Sequence, residues 1–336
     1  EERRSALAEL SKSLSERAPH DDIGQINLHM HSFFSFNAMG WSPSKIAWES
    51  RKLGLHAAGI IDFDVLDGLE EFIEAGNLLS LRTSVGLETR TFLSEMAEKV
   101  IDAPGEPGVS YVAGAGFNRK PGACTDQEAF LNGLFDQSRK RNVELITRIN
   151  ERLPQIALDY SADVLPLTPA GNATERHIIK AYIARSRDAF STQEYRRFWS
   201  EVLSCPMQAS EIAQQDEAAF ENSVRTKLAK RGGIGYRQPS VETFPETGKV
   251  FTWMRSCGAI PMESWLDGTS EGESDPDGLL ELSWSKGARA LNIIPDRNWN
   301  IQDREMQKIK LNNLREIIQA AERLGLPIHI GTEMNK

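Results

Sequence analysis

Short apolar runs alternate with stretches of helical spacing along most of this chain, and that rhythm restricts the possible folds more than any other feature. "IGQINLHMH" reads as a strand, and "SPSKIAWESRKLG" as a helix with Ser42 at its cap, Pro43 in its first turn and Gly54 at its end. "LHAAGIIDFD", "RTSVGLETR" and "VSYVAGAGF" follow as strands, with "DGLEEFIEAGNLL" a helix between the first two. A βαβα order of this kind implies a parallel sheet. Between about Thr125 and Lys230 the rhythm stops, and segments such as "TERHIIKAYIARSRDAF" have helical spacing with almost no β-branched alternation. It then resumes with the strands "AIPMESWL", "ARALNIIPDR" and "LPIHIGTEMN", each beside a helical pattern. Seven or so such units point to a closed α/β barrel of the TIM kind rather than an open sheet. The expected division is an N-terminal helix over 1–22, a barrel over 23–124 and 231–336, and a helical insertion over 125–230.

Composition narrows the function. With 336 residues, 40% hydrophobic and 26% charged, the chain is ordinary for a packed globular enzyme and too apolar for a disordered one. A net charge of −9 without a basic run argues against stable duplex nucleic-acid binding. The cysteines Cys124, Cys205 and Cys257 are far apart and form no Cys-x-x-Cys pair, so neither a disulfide framework nor a zinc knuckle is expected, and a reducing cytoplasm fits. No apolar run approaches the ~18 residues of a membrane span, and "EERRSALAEL" reads as a charged amphipathic helix rather than a signal peptide. The first residue is Glu, so both ends are read as trimmed.

In a parallel barrel, functional groups gather where strands end. Each apolar run here ends in charge: His29 and His31, Asp62 and Asp64, Glu88 and Arg90, Glu263 and Asp267, Asp296 and Arg297, Glu333 with Asn335. A single carboxylate at a strand end is ordinary loop chemistry. Two histidines at i and i+2 are not, because they point to one side of a strand, and imidazoles with nearby carboxylates suit a borderline divalent cation. Glu88 follows Gly86, a residue that permits close backbone approach.

"HMHSFFSF" resembles the first motif of the PHP (polymerase and histidinol phosphatase) domain family, whose His-x-His opens a distorted seven-stranded (β/α) barrel. "AAGIIDFDVLDG" is similar to the family's Thr-Asp-His-Asp segment, and "SVGLETR" to its Gly-x-Glu strand. The helical insertion resembles in placement that of the nucleotide-phosphoesterase branch. The resemblance implies a metal-dependent phosphoesterase with His29, His31, Asp62 and Glu88 as metal ligands, and Glu333 in the place of the closing aspartate of Gly-Ser-Asp-x-His. There are departures too. Phe63 takes the place of the second motif's histidine, Tyr111 or Val112 that of the third, and Asn335 that of the last, while "IPMESW" leaves Glu263 as the plausible ligand of its strand. With those histidines missing, one strongly bound divalent ion (Zn, Mn or Fe) is expected rather than three.

One cation still polarises an oxygen and activates a water, but a phosphoesterase so built needs protein cations to supply the missing charge. Arg90, Arg119, Lys120 and Arg297 are candidates because guanidinium and ammonium groups bind phosphate, and His177 is a further candidate substrate contact. His177 reads more readily as a structural histidine in a helix's first turn, with Thr174 as the cap. Asp64 is the candidate general base. His329, within the last strand, alternates away from Ile328 and Ile330 and so is placed to line the barrel interior. Two functions follow: hydrolysis of a small phosphorylated or anionic substrate by a metal-activated water at the C-terminal rim, or a degenerate barrel that binds such a ligand without turnover.

Overall fold

The computed structural model describes residues 2–16, 24–205 and 216–333. A single sheet carries seven strands in chain order: β1 (Ile26–Met30), β2 (Ala57–Phe63), β3 (Arg82–Phe92), β4 (Val109–Ala115), β5 (Ile260–Trp265), β6 (Ala290–Ile293) and β7 (Ile328–Ile330). The strands β1, β2 and β3 are parallel, as are β5, β6 and β7. The expectation of a wholly parallel sheet is corrected at β4, which runs antiparallel to both β3 and β5. The segment between β3 and β4 contains only the single turn Ser94–Met96, and without a crossover helix the next strand returns alongside its predecessor.

β1 and β7 bring the sheet nearly to closure, largely through one side chain. Asn27 accepts from the backbone N–H of Thr332 at 2.9 Å and donates to its carbonyl at 3.4 Å. Beyond it, the N–H of His31 reaches the carbonyl of Glu333 at 3.5 Å. Approach is this close because residue 331 is glycine: a Cβ there would lie 2.2 Å from the backbone nitrogen of His29.

Both faces of the sheet are buried. Outside β1, β2 and β3, the helices Pro43–Lys52 and Leu69–Leu79 pack Ile46 and Phe72 against Met30, Ile60 and Leu87. The first of these helices starts as its sequence dictates, with the Ser42 hydroxyl accepting from the N–H of Lys45 and Pro43 in the first turn. The helix Glu2–Glu16 buries Leu7 in the same cluster. Outside β5 to β7, the helices Pro276–Lys286 and Arg304–Arg323 cover Trp265, Leu291 and Ile293. Strand alternation turns the intervening residues inward, and Ile61, Ala113, Ala115, Met262 and Ala290 form a small apolar plug there.

Packing separates a second compact unit, residues 136–238, from the barrel unit of 1–135 and 239–335. Among its described residues it is helical, around a core of Tyr182, Trp199 and Phe220, with the Trp199 indole donating to Ser186 at 3.0 Å. No helix among the described residues is long and apolar enough to cross a membrane.

Candidate metal centre

One layer along the strands from the apolar plug, the inward residues become polar. His29 lies near the end of β1 and His31 one residue past it, both fully buried, with ring centroids 5.4 Å apart. Phe63 and Glu88 are register partners on β2 and β3, and both turn toward these rings. Phe63 stacks on His31 at 4.8 Å, and Glu88 Oε2 lies 3.6 Å from His29 Nε2 and 3.5 Å from His31 Nε2. Gly86, two residues before Glu88, permits this packing, since a Cβ there would sit 2.6 Å from the carbonyl oxygen of Gly114. Glu333 arrives beyond β7, and it offers a ligand atom within 4.8 Å of one on His29 and one on His31.

The two nitrogen-to-oxygen separations exceed hydrogen-bond length. They are close to the spacing of ligands around a shared ion: two donors ~2.1 Å from a tetrahedral centre stand roughly 3.4 Å apart. His29 Nε2, both ring nitrogens of His31 and Glu88 Oε2 are buried and have no hydrogen-bond partner. Orphaned buried polar atoms carry a desolvation cost of ~1–3 kcal/mol each, and clustering them around one point is costly unless something binds there. The donor set therefore fits a divalent cation.

Charge in the site is arranged accordingly. Burial would raise the carboxyl of Glu333, but Arg297 first, then His31 and His29, outweigh it and hold the group down to about 2. Arg297 Nη2 donates to both oxygens of Glu333, at 3.0 and 2.9 Å. Burial lowers the imidazole of His31. It would also lower that of His29, where Glu88 prevails and keeps it raised.

Asp62 was expected among the ligands, and the structure gives it other work. Its Oδ1 accepts from the Ser32 N–H and the Ser35 hydroxyl, both at 2.7 Å, and its Oδ2 accepts from the Ser32 hydroxyl at 2.7 Å. Asp62 thereby ties down the loop that carries His31. Asn37 helps by donating to the carbonyl of His31 at 2.9 Å. Glu263 is a second correction. Its oxygens accept from Ser110 at 2.5 Å and from Ser283 of the covering helix at 2.7 Å, so it faces out of the barrel. The inward residue next to it is Ser264, which accepts from Asn292 at 3.0 Å. Asn292 in turn holds His29 Nδ1 at 3.1 Å.

Asp64, the expected base, is buried at φ 59° and its Oδ1 accepts from Thr89 at 2.5 Å. A non-glycine residue held in that left-handed region stores strain. Arg90 donates to both oxygens of Glu106 at 3.1 Å and lies over the Phe244 ring, while Arg119 is exposed. Lys120 pairs with Asp67 at 3.3 Å. His177 belongs to the helical unit, where it closes a capping box with Thr174 at the start of the helix Glu175–Ala189, and burial, then Lys180, pushes it down to about 4. Asn335 lies outside the described residues. Sequence reasoning missed Ser264 and Asn292; for Asn292 the available signal was a single polar residue inside the otherwise apolar strand Ala290–Ile293, whereas Ser264 stands beside the more conspicuous Glu263.

No family model matches the chain. An error-prone DNA polymerase from Mycolicibacterium paratuberculosis is 35% identical over 92 residues, 27% of this chain, which thus spans 8% of the polymerase. Two solved structures share the fold at a TM-score of 0.61. One is a proposed metal-dependent phosphoesterase from Bifidobacterium adolescentis, 17% identical and covering 94% of this chain and 90% of its own. The other is an amidohydrolase from Chromobacterium violaceum with bound sulfate and no metal, 13% identical and covering 93% and 88%. The chain has the distorted seven-stranded barrel that its resemblance to the PHP family implies.

Proposed function

We propose that the protein is a metal-dependent phosphoesterase acting on a small phosphorylated substrate, with one divalent cation held by His29, His31, Glu88 and Glu333. The observation that carries this reading is the set of partnerless buried donors on His29, His31 and Glu88 converging on one point. A cation held there supplies Lewis acidity toward a phosphoryl oxygen and lowers the pKa of a coordinated water. Arg297, side chain 42% exposed and fixed against Glu333, presents guanidinium N–H groups toward a phosphate beside the centre. Asp62 and Asn37 hold the His31 loop still.

A binder without turnover is the second reading, and Phe63 favours it. Its ring lies against His31 at the position where the family's second-motif histidine would add a ligand. One experiment separates the two: elemental analysis of the purified protein with hydrolysis of p-nitrophenyl phosphate, repeated on a His29→Ala, His31→Ala double variant. Bound metal and turnover, both lost in the double variant, support the enzyme. Bound metal or bound anionic ligand without turnover supports the binder, and a wild-type protein that takes up no divalent metal refutes the enzyme.

A further inference from the structure

Two imidazoles share one acceptor inside the barrel. Asn292 Oδ1 lies 3.1 Å from His29 Nδ1 and 3.0 Å from His329 Nδ1, and the two rings stand 6.4 Å apart. With its Nδ2 donating to Ser264 Oγ at 3.0 Å, the amide turns its oxygen to the two rings, and a cation on His29 Nε2 requires that orientation because it requires a proton on Nδ1. An oxygen facing both rings requires Nδ1–H on each, which leaves each Nε2 with its lone pair. Both Nε2 atoms are buried and without a hydrogen-bond partner, and that of His29 is the one facing Glu88.

We infer that Asn292, positioned by Ser264, is the residue that selects the tautomer and orientation of His29 for cation binding, and that it sets His329 in the same tautomer. This rests on the metal-centre reading above. His29 and Asn292 are neighbours only because the sheet curls: they come from the first and sixth strands and are joined across the interior, with His329 as the register partner of Asn292. An outer hydrogen bond that fixes a ligating imidazole is worth ~10–100-fold in metal affinity. Asn292 is thus a positioning residue, since its oxygen reaches the ion only through His29.

The test is zinc affinity of the full chain, by competition with a chromophoric chelator, for the wild type, Asn292→Leu, Asn292→Asp, Ser264→Ala and His329→Gln. Asn292→Leu is expected to lose ~10–100-fold. Asn292→Asp, which keeps the acceptor, should stay within about threefold of wild type, and so should His329→Gln, which leaves the His29 bond in place. Nitrogen-15 spectra of the zinc-loaded wild type should show a protonated Nδ1 on both His29 and His329. Equal zinc affinity in wild type and Asn292→Leu overturns this inference while leaving the metal centre intact. A loss in His329→Gln as large as in Asn292→Leu also overturns it, because His329 would then be a ligand itself. Wild-type protein that takes up no zinc overturns the function reading as well, and is recognised by that. Should Asn292→Leu not fold, Ser264→Ala, which frees the amide without changing either ring, decides the matter: unchanged affinity refutes the proposal.

Discussion

Substituting Glu263 with glutamine tests the inside and outside assignment of the barrel strands directly. Glu263 is completely buried, accepts hydrogen bonds from Ser110 and Ser283, and has its carboxyl pushed up from 4.5 to about 7, first by burial and then by Glu273, against those two hydroxyls. An acid raised in the folded state favours folding while it is protonated. Its share of stability is therefore fully present below pH 4.5, declines as the pH rises toward 7, and levels off above that. Moving a carboxyl across that interval corresponds to roughly 3 kcal/mol, at ~1.4 kcal/mol per pH unit. Glutamine keeps the shape and exchanges hydrogen bonds with the same hydroxyls, but it carries no charge to desolvate. Glu263→Gln should accordingly match wild type near pH 4.5 and exceed it by ~3 kcal/mol at pH 8. Urea unfolding at pH 4.5, 6, 7 and 8, with zinc affinity measured alongside, reads both halves of the argument. Parallel stability profiles for the two proteins would refute the electrostatic reasoning. A large fall in zinc affinity would refute the outward placement and restore Glu263 as a ligand.

Gly331→Ala places a Cβ 2.2 Å from the backbone of His29, so it should part β1 from β7, lower the unfolding midpoint by a shift equivalent to ~2 kcal/mol or more, and weaken zinc binding in the same variant; normal values of both would show that the closure is looser than described. Asp62→Ala leaves Ser32 and Ser35 without their acceptor and should destabilise by ~3 kcal/mol, whereas Ser35→Ala should cost about half of that, as chemical denaturation will show. Arg297→Met removes the cation that, against burial, holds Glu333 at about 2. In wild type that carboxylate contributes stability present above pH 4.5 and lost as the pH falls toward 2; in the variant, whose folded carboxyl no longer lies so far below its unfolded value, this acid-dependent loss should shrink or disappear, and acid titration of the folded fraction checks it. Zinc at a hundred times its dissociation constant should stabilise the wild type by ~2.7 kcal/mol and the His29→Ala, His31→Ala variant not at all, measured as denaturation with and without a chelator.

Local regularities were legible in the chain. The His29 and His31 spacing, the glycine two residues before Glu88, and the Ser42 and Pro43 helix start each depend on neighbours a few residues away, and in the fold the two rings share one side, Gly86 lies against Gly114 and Ser42 caps its helix. The parallel rhythm was legible everywhere except at β4, where the short segment after β3 leaves no room for a crossover helix.

Facing was another matter. Strands buried on both sides show no alternation of apolar and polar residues, so nothing in "AAGIIDFD" or "IPMESW" says which parity looks inward. Asp62 and Glu263 are the conspicuous carboxylates of those strands, yet it is Phe63 that stacks on His31 and Ser264 that meets Asn292, because a shift of one residue exchanges the two faces. The order of elements and the pairing of His29 with His31 thus follow from periodicities contained within single segments. The company those rings keep, Glu88, Glu333, Arg297 and the shared amide of Asn292, was decided only when a twisted sheet closed on itself and brought together side chains up to about three hundred residues apart.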